Sequence, residues 1–228
     1  MKSRQVFIFF ILLLSFLIFA CKPDKVEVLI YPSDIQSVLK NGIIETPTII
    51  TFKMLGEDKQ GLLPKVKLST LKYLSKDSEF KFSKGGFGDI MVIKSKLPMG
   101  TKDALSTYTK KNPRLASISI VKGKNGWYMA ELNKTEYLDQ LDNELTGINM
   151  MLGADFPPQN TIITVISDLK DEIKLAAIAV FVDGKPELVF TRKVKKRDNL
   201  RIEYKGGNGC VYSQISPQVN INFGSSPN

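Results

Sequence analysis

The feature that most constrains this chain is a run of uncharged residues near its start. Residues 6–20 carry no charged side chain, and they follow a short stretch that contains Lys2 and Arg4. A helix needs about 20 apolar residues to cross the hydrocarbon core of a bilayer, so this run is short for a membrane span. A positive segment followed by an apolar run of this length is typical of a secretory signal peptide. We therefore expect residues 1–20 to lie outside the folded domain.

The end of the run is more specific than its length. Ile18-Phe19-Ala20-Cys21 resembles the bacterial lipobox, although Phe19 is bulkier than the residue usual at its position. The resemblance implies that the Cys21 thiol is acylated and that the signal peptide is removed before Cys21. Two acyl chains already give stable attachment without a membrane span. The alternatives are a buried core helix, or an uncleaved anchor with an incidental cysteine.

The connection between Cys21 and the fold is predicted to be very short. We assign residues 21–24 to the lipidated cysteine and its tether, and residues 25–228 to a single domain. Three or four extended residues reach only about 10–14 Å, so the domain should lie against the lipid headgroups. An Asp after the cysteine resembles an inner-membrane retention signal, so Lys22 favours the outer membrane of a Gram-negative cell envelope.

Composition excludes several classes of chemistry. The chain has no histidine and two cysteines, so it lacks the residues for a Ser-His-Asp triad, a histidine-ligated zinc or a four-cysteine cluster. Its net charge of +9 comes from 32 Lys and Arg against 23 Asp and Glu. We expect no cofactor, no metal site and no enzymatic activity. An exported chain is also a poor candidate for binding nucleic acid, despite its charge.

The pattern of the remaining chain predicts an α+β fold. Alternating apolar residues favour a β-rich, antiparallel domain built from hairpins, with one long packed amphipathic helix from Lys134 to about Leu152. Asp183-Gly184 is the strongest hairpin signal, because both residues accept positive φ. Ser33-Asp34 is predicted to cap a short helix, and Asn133 with Glu136 to form a capping box. The predicted strands are residues 25–31, 46–54, 79–82, 89–97, 115–121, 127–132, 161–166, 173–182, 187–194, 199–204 and 210–215, and the shorter helices are residues 35–39 and 67–74.

A basic run near the end of the domain is the main candidate for a contact with anionic lipid. It consists of Arg192, Lys193, Lys195, Lys196 and Arg197. Together with Lys22, these residues could face the headgroups of a closely tethered domain. The alternative is a solvated strand end, where lysines protect an exposed sheet edge.

Other candidate sites have simpler structural explanations. Lys84-Gly85-Gly86-Phe87-Gly88-Asp89 could cradle a phosphate, but it lacks the spacing of known phosphate loops and is typical of a loop between strands. Cys210 is left over once Cys21 is acylated, and is expected to be a small apolar core residue. Trp127 and Tyr128 should point to opposite sheet faces. Glu136, Asp139, Asp142 and Glu144 place carboxylates on the long helix, where a solvated face is expected rather than an active site.

Two segments also carry a resemblance at the level of a family. Residues 25–35 and 179–186, with Ser33-Asp34-Ile35 and Asp183-Gly184 as their motifs, are similar to small lipoproteins of unknown function found on phages, plasmids and bacterial chromosomes. The resemblance covers both ends of the mature domain and implies no catalytic residue. A weak internal echo relates residues 28–35 to 163–169, since both read as a strand followed by Ser-Asp and an aliphatic residue.

These observations predict a lipid-anchored envelope protein that acts by binding or scaffolding. Its partners would be membrane lipids, through acylated Cys21, and an envelope protein of unknown identity. One alternative is a surface-exclusion or immunity lipoprotein of a mobile element, which would mask a surface receptor. A second is an envelope hydrolase that works without histidine.

Overall fold

The structure is a computed structural model, and it describes residues 23–53, 61–85, 88–149, 152–153, 160–205 and 217–223. It confirms the α+β class, because a large sheet is accompanied by four helices among the described residues. Several predictions lie outside the described residues, namely those for residues 1–20, Cys21, Lys22, Gly86, Phe87, Cys210 and the strand 210–215.

The strands are β1 (Pro23–Ile30), β2 (Ile43–Lys53), β3 (Glu79–Gly85), β4 (Gly88–Gly100), β5 (Ala116–Lys122), β6 (Trp127–Lys134), β7 (Asn160–Ile166), β8 (Ile173–Val182), β9 (Lys185–Val194), β10 (Asn199–Lys205) and β11 (Gln218–Asn222). The helices are α1 (Pro32–Asn41), α2 (Leu62–Leu71), α3 (Lys102–Lys111) and α4 (Glu136–Ile148).

Nine strands close into a barrel, which the sequence does not predict. Their order is β10-β7-β1-β2-β4-β5-β6-β11-β8, and β8 pairs back to β10. Two pairings in this ring are parallel, β1 with β7 and β4 with β5, so the sheet is mostly antiparallel, as predicted, but mixed. Within the described chain, β3 pairs only with β4 and β9 only with β8, so both lie outside the ring.

Strand β8 closes the ring by changing its partner along its length. Lys174 to Ala176 pair with β11, whereas Phe181 and Val182 pair with β10. Between these two stretches, Ala179 has a φ of 55°, a conformation that residues with a Cβ rarely adopt. The distortion at Ala179 therefore falls where the strand passes from one neighbour to the other.

Most of the buried hydrophobic side chains form one cluster. Burial alternates along strands such as β6, β10 and β11, and helix α4 adds Leu138, Leu141 and Leu145. The predicted long helix is confirmed but shorter, at 13 residues. Its capping box is wrong, because the N-cap is Thr135 and the Asn133 amide instead donates to Ser119 Oγ at 2.9 Å.

Two other helices differ from the sequence prediction, one at its start and one in its existence. Helix α1 begins at Pro32 with Tyr31 as N-cap and has no side-chain cap, so Ser33 and Asp34 lie inside its first turn rather than before it. Helix α3 is not predicted at all, although Thr101 caps it by accepting a hydrogen bond from the Ala104 N–H at 3.5 Å.

The hairpin predictions hold well. Asp183 and Gly184 join β8 to β9 with φ values of 50° and 79°, as expected for a two-residue hairpin turn. Strands β5 and β6 also pair as predicted, and Tyr128 is buried while Trp127 is partly exposed.

Candidate functional site

The predicted anchor and the predicted basic run can be located relative to β1. This strand starts at Pro23, inside the segment predicted to be a tether. Only Lys22 therefore separates Cys21 from the sheet. Because β1 has β2 on one side and β7 on the other, a lipid on Cys21 would be attached almost directly to an interior strand.

A continuous row of paired residues extends sideways from Pro23. Pro23 pairs with Phe52 on β2, Phe52 with Met91 on β4, and Met91 with Phe82 on β3. The β3–β4 hairpin continues past this row and closes at Gly85 and Gly88. We call this row and the hairpin beyond it the tether end.

The described residues of the glycine-rich segment lie at the adjoining ends of two strands, β3 and β4. Gly85 pairs with Gly88, and Lys84 with Asp89, so these residues lie at the tip of the β3–β4 hairpin. A Cβ on Gly85 would lie 2.8 Å from Ile90 Cδ1 and 3.1 Å from the Gly88 carbonyl oxygen, so a side chain there would require the Ile90 side chain to shift.

Part of the basic run lies beyond the opposite end of β1. Ile30 pairs with Val165, and Asn199 pairs with the next residue of β7, Ile166. Residues 195–198, which we call the basic turn, immediately precede Asn199. The structure therefore does not bring the basic turn next to Pro23, because seven residues of strand, about 23 Å, lie between these levels.

The basic turn is held by backbone hydrogen bonds. The Ser167 N–H donates to the Asp198 carbonyl at 3.0 Å, and the Arg197 N–H donates to the Ser167 carbonyl at 2.7 Å. The Asp198 carboxylate accepts a further bond from the Lys195 N–H at 2.9 Å. These bonds fix the backbone of the turn while the side chains of residues 195–197 remain exposed.

The five residues of the basic run have different surroundings. Arg192 forms an ion pair with Asp183 at 3.3 Å, and Lys193 forms one with Glu172 at 2.8 Å. The hydrogen bond with Glu172 raises the pKa of Lys193. Arg192 and Lys193 both lie on β9, the edge strand, as expected for lysine and arginine at a sheet edge. By contrast, the side chains of residues 195–197 form no ion pair with any described residue.

Other exposed lysines extend this positive surface. Lys174 lies directly opposite Lys193 and pairs on its other side with Asn222, whose amide donates to the Asn125 carbonyl at 3.0 Å. Asn125 belongs to the β5–β6 turn. Six exposed cations in this region form no ion pair with a described acid, and we call them the basic end: Lys122, Lys124, Lys174, Lys195, Lys196 and Arg197.

The internal echo in the sequence corresponds to two neighbouring strand ends. Strands β1 and β7 pair in parallel, and the segments that follow them meet. The Asp168 carboxylate accepts hydrogen bonds from the Ser33 N–H at 3.2 Å and from the Ser33 hydroxyl. Burial, with the Asp168 charge as a second cause, raises the pKa of Asp34. This pair joins α1 to the loop after β7, which gives it a structural role.

The carboxylates of α4 are engaged separately rather than gathered in one place. Asp139 pairs with Lys134 at 3.0 Å, and Glu144 pairs with Lys72 at 2.8 Å. Glu144 also accepts a hydrogen bond from the Tyr73 hydroxyl at 2.7 Å. Lys72 and Tyr73 lower the pKa of Glu144, and burial together with Glu144 raises the pKa of Tyr73 to about 12.

The remaining two acids of α4 add little to this picture. Glu136 is exposed and Asp142 is half-buried. Among the described residues, no group of three or more acids or cysteines has the geometry of a metal site.

One polar cluster is not predicted from the sequence. Arg114 is only 8% exposed, and its guanidinium donates to Glu45 at 2.8 Å. The Tyr108 hydroxyl donates to the same carboxylate oxygen at 2.9 Å. The partners are more than 60 residues apart in sequence, so no local pattern indicates them. The cluster braces α3 against β2.

Comparison with known protein families, with curated proteins and with solved structures finds no match for this chain. Within the part of the chain that the structure describes, no helix is long and apolar enough to cross a membrane.

Proposed function

We propose that this chain is a lipid-anchored protein of the bacterial cell envelope and that it acts by binding rather than by catalysis. The observation that carries the proposal is the lipobox-like Ile18–Cys21, which ends two residues before β1 begins at Pro23. A signal peptide cut before Cys21 would leave the whole β1 strand intact. Acyl chains on Cys21 would then hold the barrel at the membrane surface.

This arrangement would give the molecule a defined orientation. The tether end would face the membrane, and the basic turn would lie about 23 Å further away, at the other end of β1. That placement favours a role for Lys195, Lys196 and Arg197 in binding an anionic partner over a contact with the membrane that holds Cys21. Unpaired surface cations increase association rates and selectivity for acidic surfaces.

A surface-exclusion role would be one form of such binding, with an envelope receptor as the partner. A hydrolase is a weaker proposal, since Asp139 and Glu144 of α4 form separate ion pairs with Lys134 and Lys72.

The anchor can be tested by comparing two cysteine variants of the full chain. Cys21→Ser should abolish incorporation of labelled palmitate and leave the protein unprocessed or soluble. Cys210→Ser, the matched control at the other cysteine, should be processed and membrane-bound like the unaltered chain. Processed, membrane-bound and labelled Cys21→Ser protein would contradict the proposal.

The basic end can be tested by reversing its charge in the anchored protein. Lys195→Glu combined with Lys196→Glu and Arg197→Glu should reduce salt-sensitive cross-linking to envelope partners and leave membrane attachment unchanged. Arg192→Glu combined with Lys193→Glu is the control, because those side chains are already paired with acids. Equal loss in both variants would contradict a specific role for the basic turn.

A further inference from the structure

We propose that Phe82, at the tether end, inserts into the headgroup region of the bilayer that carries the lipids of Cys21. The proposal rests on the anchoring proposed above and adds a second membrane contact to it. Such a contact would fix the tilt of the barrel on the membrane, whereas a lipid on one residue leaves the domain free to rotate.

Phe82 is exposed even though it lies on the core-facing side of the sheet. Phe80 and Phe82 share one face of β3, and they pair with Ile93 and Met91, which are fully buried in the core. Phe80 is partly buried, with Lys67 Nζ 5.0 Å from its ring centroid. Phe82, one step nearer the hairpin tip, is 45% exposed. The apolar face of β3 thus continues beyond the region that the core covers, and Phe82 lies on the uncovered part.

The register places Phe82 on the level of the anchor. Three steps between paired strands separate Pro23 from Phe82, which is about 14 Å at the usual strand spacing. Since β1 and β4 run in the same direction, β1 begins at the end of the sheet towards which the β3–β4 hairpin extends. Cys21 and the hairpin tip are therefore expected to project the same way.

The short connection between Cys21 and β1 favours the bilayer as the partner that contacts Phe82. Two Cα steps separate Cys21 from Pro23, so an acylated Cys21 lies within about 8 Å of the start of β1. The hairpin extends three residues beyond the row of Phe82, roughly 10 Å further towards the same side. Among the described residues of β1, β2, β3, β4 and β7, those of the β3–β4 hairpin therefore extend furthest towards a bilayer that holds the Cys21 lipids.

The side chains of β3 suit an interfacial position. Aromatic rings are favoured at the headgroup level, and lysines beside them attract anionic lipids. Lys84 lies on the same face of β3 as Phe82, and Lys81 lies on the opposite face.

The single tryptophan of the chain provides a built-in control for the test. Trp127 lies past the other end of β4, because the β5 residues Ile118 and Ser119 pair with Met99 and Gly100 and the β5–β6 turn lies beyond them. Met91 and Gly100 are nine residues apart on β4, about 30 Å along the strand. Trp127 should therefore stay away from the membrane.

The experiment uses full-length acylated protein in vesicles of phosphatidylethanolamine and phosphatidylglycerol, with or without acyl-chain bromine near the headgroups. In Phe82→Trp combined with Trp127→Phe, bromine should quench the indole, and its emission should shift to the blue relative to detergent. In the unaltered chain, Trp127 should keep its intensity and wavelength. Flotation and the intact mass confirm that both proteins are anchored.

Each outcome has a distinct meaning. Floating, acylated protein whose introduced indole is no more quenched than Trp127 overturns the Phe82 contact and leaves the anchor standing. Protein without acyl mass overturns both. The introduced indole could also be shielded to the same extent in detergent as in vesicles, with a shielding that increases with protein concentration. That result overturns the membrane contact and indicates instead that a second copy of the chain pairs along β3.

A second measurement does not depend on the introduced tryptophan. Hydrogen exchange of the β3 amides should slow when the anchored protein moves from detergent to vesicles. Phe82→Glu should remove this protection, whereas Leu188→Glu, at an apolar residue of the edge strand β9 that is 70% exposed, should leave it intact. Equal protection in Phe82→Glu and the unaltered protein contradicts the proposal.

Discussion

The two ends of β1 are built in different ways. At the tether end, Pro23, Phe52, Met91 and Phe82 are connected by paired strands, and the row ends in an exposed aromatic ring. At the opposite end, the loops are held by polar contacts such as that between Ser33 and Asp168. Among the described residues, the tether end is thus a continuation of the sheet, whereas the opposite end has loops joined by hydrogen bonds.

If Cys21 carries the proposed lipid, this difference would let one short strand orient the whole domain. Cys21 lies just before β1 in the sequence and Ser33 lies just after it. The proposed lipid attachment and the polar contact of Ser33 are therefore separated by the length of β1. Apolar surface and the proposed lipid lie at the start of the strand, and unpaired cations lie at its end. The predictions below test each end separately.

The largest effect is expected at the centre of the tether row. Met91 is fully buried, so Met91→Ala should lower the free energy of unfolding by about 2–5 kcal/mol. Phe82→Ala, the neighbouring residue in the same row, should cost much less because its ring is 45% exposed. Urea unfolding measures both. A large loss in Phe82→Ala would show that the ring serves mainly the core, which would weaken its role as a membrane contact.

The next effect concerns the polar contact at the other end. Asp168→Ala removes the acceptor for the Ser33 N–H and hydroxyl, and should cost about 1 kcal/mol, as for a lost helix cap. Hydrogen exchange should accelerate in the first turn of α1 but not around Pro23 and Phe52. Equal acceleration at both ends would show that the two regions are not independent.

A smaller change, of opposite sign, is expected at Ala179. Its φ of 55° is unfavourable for a residue with a Cβ, so Ala179→Gly should stabilise the fold by up to about 1 kcal/mol. Ala177→Gly is the matched control on the same strand and should destabilise, since Ala177 is buried in regular pairing. If both variants destabilise, the distortion does not set the place where β8 changes partners.

The smallest effect is the pH dependence of Asp34. Burial and Asp168 raise its pKa above the ordinary value of 3.8, so the ionised carboxyl costs stability at neutral pH. Asp34→Asn should therefore stabilise by a few tenths of a kcal/mol at pH 7. This gain should disappear below about pH 3.8, where Asp34 is itself protonated. A gain from Asp34→Asn that persists unchanged below that pH would contradict the explanation.

Local sequence signals predicted local structure well. The turn at Asp183 and Gly184 requires positive φ at both residues, and only a few residue types accept it, so the hairpin could be recognised. The apolar spacing of Leu141 and Leu145 likewise identified α4. Helix α3 escaped prediction because Leu105 is its only buried residue, which leaves almost no apolar periodicity.

Long-range pairing could not be predicted in the same way. Strands β1 and β7 are more than 130 residues apart, and nothing in either strand encodes their parallel register. The resemblance between the two segments could be recognised in the sequence, but their position side by side could not be predicted from it. The separation of Lys195–Arg197 from Pro23 follows from that register, so the two ends of the candidate site could not be told apart by sequence alone.

The central claim, that the tether end is attached to lipid through Cys21, is tested most directly by the intact mass of the protein purified from native membranes. We predict a chain that begins at Cys21 and carries the added mass of a diacylglyceryl group, with or without a further acyl chain on its amino group. A chain that still begins at Met1, or a Cys21 with a free thiol and no hydrocarbon mass, would contradict the account.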